Sequence, residues 1–331
     1  MDEICYVYNR RSKKICDSTP LAPSGELLIE KMDVASANEL FLIQKIENNE
    51  KFCIKIYNSA QNRAAKAKEN IIHDVLKPIY SSISTILYHG ELSTNEYCIS
   101  KHINGVSLLD AYLENISNES FINSISKQLT MYIDSCNSIS TTKFGLVSDL
   151  LIGELNCWSE FVENNLLSVK KIVDGIPELN HNLRSELSPF VKVAQKFLME
   201  NHKYFSSIQP KLTPVDLNLT NFIVEANTNN VIAIDLEAFV SGDPLLSFGE
   251  LFGHIYQTTL GYSLSHLWNR WSKEEKMAIH FYAFLSNLNV LSFIISNSDQ
   301  YLDINTLKPW GNNNSFVSLL RMHQNHFTNK P

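Results

Sequence analysis

The amino-acid pattern changes near residue 105, and this change constrains the fold more than any other feature. Before it, apolar residues come in short alternating runs, which predict strands over 27–32, 39–46, 51–57, 84–88 and 97–102. One helix is predicted over 61–79, and a further hairpin from 4–8 and 14–16. Beyond Asn104-Gly105 the apolar residues recur mostly at helical spacing. We therefore expect a sheet with one helix, followed by a mainly helical part.

Two features punctuate the helical part. Ser188 and Pro189 suit the cap and first turn of a helix, so we expect a helix to begin there. Two apolar runs, 221–225 and 231–236, flank a polar turn and predict a hairpin. With 331 residues the chain is long enough for two lobes. The pattern predicts an α+β fold with a small antiparallel β lobe over 1–104 and a larger helical lobe over 105–331.

Charge and composition exclude several function classes. The formal net charge of −7 disfavours a nucleic-acid partner, which requires a basic surface. Six scattered cysteines without a Cys-x-x-Cys pair are typical of reduced thiols. The N-terminus has no signal-peptide pattern, and we find no apolar run of about 18 residues, so no membrane partner is expected. We expect a cytoplasmic protein, and the sequence indicates no oligomeric state.

The densest chemical signal lies around the predicted hairpin. Asp216 is followed five residues later by Asn221, directly before the first apolar run, and Asp235 ends the second run. Phosphoryl transfer needs a carboxylate that orients the attacking hydroxyl and accepts its proton. It also needs carboxylate and amide oxygens that hold Mg²⁺ on the nucleotide phosphates. These three residues supply that set.

The same segment resembles the catalytic loop and metal strand of the aminoglycoside phosphotransferase family. That family's pattern is His-Gly-Asp-x-x-x-x-Asn, then Ile-Asp-Trp-(Glu/Asp), then Gly-Asp-Pro. Asp216 and Asn221 match the first element, 234–237 the second and 242–244 the third. The resemblance extends from about residue 27 to residue 251 and implies a bilobal protein-kinase-like fold. It also implies Asp216 as the catalytic base, with Asn221 and Asp235 as Mg²⁺ ligands.

The resemblance assigns further residues to a nucleotide, ATP or GTP. Lys55 corresponds to the kinase lysine that holds the phosphates, and Glu69 to the helix glutamate that pairs with it. Ser36 and Asn38 occupy the phosphate-covering loop. The backbone of 101–103, from Lys101 to Ile103, corresponds to the hinge beside adenine. The expected acceptor is a hydroxyl of a small molecule, such as an antibiotic or a metabolite.

Several positions depart from the family pattern. Pro214-Val215 replaces His-Gly before the catalytic acid, and the phosphate-covering loop has no glycine. For Glu237 and Asp243, structural roles are favoured over contact with metal or substrate. These departures leave two alternatives open, namely a catalytically dead nucleotide-binding protein and a kinase that acts on protein.

Overall fold

The alternating residues of the first hundred positions form strands, as their period of two requires. The computed structural model describes residues 27–32, 38–57, 60–92, 95–148, 150–176, 181–298 and 302–328. Five strands form one antiparallel sheet in the order β1-β2-β3-β5-β4. They are β1 (Leu27–Lys31), β2 (Glu39–Lys45), β3 (Lys51–Tyr57), β4 (Ile86–Leu92) and β5 (Asn95–Lys101). The predicted hairpin at 4–8 and 14–16 lies outside the described residues.

Six shorter strands belong to two three-stranded sheets, with the orders β10-β9-β6 and β7-β11-β8. They are β6 (Gly105–Ser107), β7 (Gly145–Leu146), β8 (Lys211–Pro214), β9 (Phe222–Glu225), β10 (Val231–Ala233) and β11 (Phe239–Gly242). Strands β9 and β10 are the predicted hairpin. A side chain at Gly105 would collide with the carbonyl oxygen of Val224, so only glycine permits β6 to approach β9 this closely.

The described chain divides into two units. The first runs to Val106 and also includes Ile223–Glu237, whereas the second contains Ser107–Phe222 and Ala238–Pro331. The hairpin therefore belongs mostly with the first unit, although it follows the helical part in sequence. The backbone explains this grouping, because Ser84 N donates to Ala233 O at 2.7 Å and Ile83 forms a parallel bridge with Ala233.

In the first unit, one face of the five-stranded sheet carries the apolar core. Ile54 and Ile56 on β3 are almost completely buried in this core. Because side chains alternate along a strand, Lys55 lies on the opposite face. The following helix, α1 (Ala60–Leu76), buries Ile72 and Leu76. Glu69 lies on the same helix face, one turn before Ile72 and two turns before Leu76. It is 5% exposed.

The second unit is mainly helical. Its helices are α2 (Leu108–Glu114), α3 (Glu119–Asn137), α4 (Trp158–Asp174), α5 (His181–Glu200), α6 (His202–Ser206), α7 (Leu245–Ile255), α8 (Thr259–Ser263), α9 (Lys273–Ser296) and α10 (Phe316–Thr328). Helix α9 begins with a capping box between Ser272 and Glu275. It packs against α7, α4 and α10 and forms the centre of this unit.

Helix α9 is long and apolar enough to cross a membrane by length and composition. In the structure 72% of its apolar 18-residue window is buried inside the protein. A core helix passes the same test, and the burial of Phe281, Phe284 and Leu288 accounts for its apolar composition.

The predicted start of a helix at Ser188 is wrong. Helix α5 begins at His181, so Ser188 and Pro189 lie inside it. Instead of capping a helix, the Ser188 hydroxyl donates to the Arg184 carbonyl at 2.8 Å. Buried residues on both sides of Pro189, including Leu183, Leu187 and Val191, keep the helix continuous despite the missing proline N–H.

Candidate active site

Lys55 is the centre of a charged cluster within the first unit. Its ammonium group lies 3.1 Å from Glu69 Oε2 and 3.6 Å from Asp235 Oδ1, and it also pairs with Glu237. The Tyr57 hydroxyl donates to the same Glu69 oxygen. The sequence-predicted pair of Lys55 and Glu69 is thus formed, and the hairpin contributes two further acids.

The cluster contains three carboxylates and one ammonium group, so negative charge is in excess. Burial lowers the pKa of Lys55, but attraction by Glu69, Asp235 and Glu237 outweighs this effect and raises the pKa overall. The pKa of Glu237 is also raised, by burial first and then, despite Lys55, by repulsion from Asp235. Lys55 therefore stays protonated, and a further cation would relieve the excess of negative charge.

Asp235 is the most accessible acid of this cluster, with a side chain that is 41% exposed. Among the described residues, no three His, Cys, Asp or Glu side chains converge to hold a metal by themselves. Mg²⁺ does not require such a cage, because one or two protein oxygens suffice when nucleotide phosphates and water supply the rest. The exposed carboxylate of Asp235 fits that kind of site.

Asn38, which the resemblance assigns to the phosphate-covering loop, contacts the cluster. Its amide nitrogen donates to Glu237 Oε1 at 3.0 Å, and the residue is 8% exposed. Glu237 therefore contacts both Lys55 and Asn38, two residues that the resemblance assigns to the nucleotide phosphates. Ser36 lies outside the described residues.

The predicted adenine hinge begins at the last residue of β5. The backbone N–H of Lys101 donates to Thr85 O at 3.0 Å, and that of His102 to Lys51 O at 3.1 Å. These amide groups hold the sheet together and are engaged within the first unit. Ile103 lies in the short connection between β5 and β6 and is half-buried.

Asp216 lies in the second unit, two residues beyond β8. Its φ angle of 58° is in the left-handed region, which aspartate tolerates better than most residues. The Asn221 amide nitrogen donates at 3.0 Å to both the main-chain oxygen and Oδ2 of Asp216. These bonds leave the Asn221 side-chain oxygen available as an acceptor. The spacing of five residues therefore forms one closed loop.

Pro214 and Val215 support this loop through the backbone. Pro214 is the last residue of β8, where its missing N–H is tolerated at the edge of a sheet. Val215 N donates to Ala238 O at 3.0 Å. The bond connects the loop of Asp216 to the segment leading into β11.

Asp243 has a structural role, as the sequence indicated. It is 1% exposed, and its Oδ1 accepts the N–H of Leu245 at 2.9 Å at the start of α7. Its Oδ2 accepts the Tyr282 hydroxyl at 2.7 Å, and that hydroxyl accepts the Trp158 indole N–H at 2.7 Å. Burial raises the pKa of Asp243 to about 6.

A cavity of about 320 Å³ opens beside Asp216. Its walls come from α4, α7 and α9 together with β7 and β11, all within the second unit. They are mostly apolar and aromatic. They include Trp158 and Phe161, whose stacked rings have centroids 4.8 Å apart. Two titratable residues of α7, Glu250 and His254, also line it. Sequence reasoning missed both, since no motif marks residues that come together only when helices pack.

The fold can be compared with known proteins at this point. No protein-family model and no curated protein matches the sequence. Among solved structures, the aminoglycoside phosphotransferase APH(4)-Ia superposes with a TM-score of 0.65 at 14% identity, covering 97% of each chain. Choline kinase LicA from Streptococcus pneumoniae gives 0.60 at 12% identity, over 97% of this chain and 98% of its own.

A third structure, an aminoglycoside 2'-phosphotransferase in its GDP complex, gives 0.60 at 12% identity over 88% of this chain and 92% of its own. The chain has the kinase-like fold of the aminoglycoside phosphotransferases. The resemblance and the α+β class predicted from the sequence are therefore confirmed. Identities this low establish the fold alone.

Within this kinase-like fold the predicted residues fall into two groups. Lys55, Glu69, Asn38 and Asp235 come together in the first unit, where Glu237 joins them. Asp216 and Asn221 come together in the second unit beside the cavity. Apart from Val215 and Asp216, the cavity walls lie outside the three sequence elements that match the family pattern.

Proposed function

We propose that this protein is a cytoplasmic kinase that transfers the γ-phosphoryl group of ATP or GTP to a hydroxyl of a small molecule. The observation that carries the proposal is Asp216. Its strained backbone is fixed by Asn221, and its side chain lines a cavity large enough for a small ligand. Strained, well-braced residues cluster at functional sites, and small-molecule sites are concave and mostly apolar.

Each residue has a role in the proposed reaction. Lys55, positioned by Glu69, binds the nucleotide phosphates, and Asn38 and Ser36 cover them. The segment from Lys101 to Ile103 lies beside the base. Asp235 and Asn221 are the proposed ligands of Mg²⁺, which neutralises phosphate charge when bound.

Asp216 orients the acceptor hydroxyl and accepts its proton. The acceptor oxygen forms a bond to the γ-phosphorus as the bond from that phosphorus to the β,γ-bridging oxygen breaks. The products are a phosphate monoester and the nucleoside diphosphate, and the proton on Asp216 leaves to solvent. No covalent enzyme intermediate is needed, because positioning and charge neutralisation account for such catalysis.

The test is an acceptor screen that follows nucleotide consumption and product mass, with wild type and Asp216→Asn in parallel. Asparagine keeps the size of aspartate, so folding and nucleotide affinity should persist. Transfer should fall by about a hundred- to ten-thousandfold, because a general base is lost. Asp174→Asn, on an exposed part of α4, is the matched control and should not change transfer.

Three outcomes separate the alternatives. Bound nucleotide without transfer to any small acceptor or protein favours a catalytically dead nucleotide-binding protein. Transfer to protein alone favours the protein-kinase alternative. Equal transfer by wild type and Asp216→Asn would exclude Asp216 as the catalytic base.

A further inference from the structure

The cavity beside Asp216 contains a carboxyl group that forms no ion pair with a cation among the described residues. Glu250 projects from α7 into this cavity, and the described residues that line it include no lysine or arginine. Its hydrogen-bond partner is the hydroxyl of Ser286 on α9, which donates to Glu250 Oε2 at 2.7 Å. Enclosed glutamates are normally paired with a cation, so this one calls for an explanation.

The position of Glu250 follows from the close packing of α7 against α9. A side chain at the preceding Gly249 would collide with Tyr282 Cβ, so glycine is needed for this approach. The approach places Ser286 on α9 within hydrogen-bond distance of Glu250. Both helices are largely buried, which fixes the carboxyl group in place.

The surroundings favour the uncharged form of Glu250. Burial raises its pKa to about 7; the hydrogen bond from Ser286 opposes the rise, and the charge of Asp216 adds to it. The other titratable residues that line the cavity are Asp216, His254 and Tyr282. Burial lowers the pKa of His254 to about 4, so this imidazole is neutral near pH 7 and offers no positive charge.

We propose that Glu250 is the counter-ion for a single ammonium group of the acceptor, so that the cavity binds an amino alcohol with an apolar body. The proposal rests on the proposed function only in taking this cavity as the acceptor site. An ammonium group has three N–H donors and no acceptor, and it complements a carboxylate. A second acceptor atom is available, because the buried Asn165 Oδ1 lines the same cavity without a hydrogen-bond partner.

The neighbouring surface indicates one ammonium group rather than several. A groove of about 310 Å³ between α4 and α9 shares Phe161, Asn165 and Asn289 with the cavity. Its described lining contains apolar, amide and hydroxyl side chains but no charged residue. A second ammonium group placed there would lose its hydration without gaining a carboxylate. The apolar walls instead suit a carbon skeleton attached to the amine.

Binding should change the protonation of Glu250. In the free protein at pH 7 a substantial fraction of this carboxyl group carries a proton. When the ammonium group binds, it favours the carboxylate, and the proton leaves to solvent. The ammonium group keeps its own proton, so the complex gains one close ion pair and the solution gains a fraction of a proton.

The experiment compares matched probes without nucleotide. A six-carbon amino alcohol, with hydroxyl and amine at opposite ends, is titrated against the corresponding diol by calorimetry. Buffers with different ionisation enthalpies report the protons released. A tertiary amine and a quaternary ammonium analogue of the amino alcohol extend the series. The amino alcohol should bind more tightly than the diol and release protons, whereas the diol should release none.

Glu250→Gln is the deciding variant, because glutamine keeps the shape and the bond with Ser286 but cannot become an anion. It should weaken amino-alcohol binding by about ten- to a hundredfold, abolish proton release and leave diol binding unchanged. Glu163→Gln, at an exposed position on α4, makes the same chemical change outside the cavity and should have no effect.

The proposal is overturned if the diol binds as tightly as every amine, or if Glu250→Gln binds the amines as well as wild type does. It is also overturned if no amine at tens of millimolar shifts the titration of the Glu250 carboxyl carbon in NMR spectra. Failure of the proposed function is a separate result. Amines could bind with proton release and never be phosphorylated, and an uncharged hydroxyl compound could be phosphorylated with no preference for amines.

Discussion

The two units differ in the charge state of their buried ionisable groups. In the first unit, Lys55 and its three carboxylates are close together, and the ammonium group is held in its charged form. In the second unit, burial shifts the pKa values of enclosed acids and histidines toward the neutral form. These residues are Asp243, Glu250, His254, His280 and His323.

This difference indicates which kind of ligand each unit is suited to bind. A concentrated set of paired charges suits the polyphosphate chain and metal of a nucleotide, whose charges must be neutralised during transfer. A cavity whose walls, apart from Asp216, are mostly uncharged suits a largely apolar acceptor, and it exerts a strong further electrostatic effect only where a second group can ionise. Glu250 is the group whose pKa lies nearest neutrality.

The largest expected effect tests the charged unit. Asp235→Asn should lower transfer by about a hundred- to a thousandfold, because a preorganised negative ligand at the transition state is lost. The exposed carboxylate should be replaceable without loss of folding. Steady-state kinetics and circular dichroism of Asp235→Asn and Asn221→Ala are the measurements. Asp74→Asn, 80% exposed on α1, is the matched control.

Full activity of Asp235→Asn with a native spectrum would remove the proposed metal site from this unit. The comparison between a charge-handling unit and a neutral one would then lose its functional meaning.

A second prediction concerns the stability of the charged cluster. Lys55→Met leaves Glu69 and Glu237 enclosed without their cation, so the free energy of unfolding should fall by about 3 kcal/mol. Nucleotide affinity should fall as well. Lys51→Met, exposed on the same strand, should change stability by no more than about 0.5 kcal/mol. Denaturant unfolding and calorimetry of both variants measure the effects. An unchanged stability and an unchanged nucleotide affinity for Lys55→Met would contradict both roles.

Sequence patterns predicted the first unit well for a physical reason. Strand alternation accounts for Lys55 lying on the face opposite Ile54, whereas its pairing with Glu69 was implied by the family resemblance. The loop of Asp216 and Asn221 closes over five residues, so its spacing is visible in one short segment. Local periodicity and short loops carry this information directly.

The cavity could not be predicted in the same way. Its walls combine residues from 146 to 290, and their convergence depends on how helices pack. The close approach at Gly249 and the continuity of α5 through Pro189 both arise from tertiary packing. Local rules predicted a helix start at Ser188, and burial on both sides of Pro189 overrode them.

A third prediction tests the neutral unit through its hydrogen bonds. Tyr282→Phe removes the hydroxyl that connects Trp158 to Asp243 and leaves both buried groups short of a partner. The free energy of unfolding should fall by about 1–3 kcal/mol. Tyr262→Phe, at a residue that is 63% exposed, is the control and should be nearly neutral. Equal stability of Tyr282→Phe and wild type in denaturant unfolding would show that these bonds do not hold the unit together.

The smallest effect concerns the histidines packed between α9 and α10. His280 Nδ1 lies 3.0 Å from His323 Nδ1, and His326 and Tyr256 complete the cluster. Burial lowers the pKa of His323 to about 3, with repulsion from His326 adding to it. Protonation of His323 is therefore unfavourable in the folded state, whereas in the unfolded state His323 is protonated below a pKa of about 6.5. This residue's contribution to stability is full above that value and is lost as the pH falls toward the folded pKa.

His323→Gln removes this titration. Between about pH 7.5 and pH 5.5, wild type should lose about 1 kcal/mol more unfolding free energy than the variant does. Denaturant unfolding at each pH measures the difference, which is independent of any constant packing cost of the substitution. His266→Gln, at an exposed position of the same unit, should leave the wild-type pH dependence intact. Parallel pH profiles for wild type and His323→Gln would mean that this histidine takes up a proton as readily when folded as when unfolded. The interior of the second unit would then accommodate a charged histidine. The contrast between the two units would depend only on the buried carboxyl groups of Asp243 and Glu250.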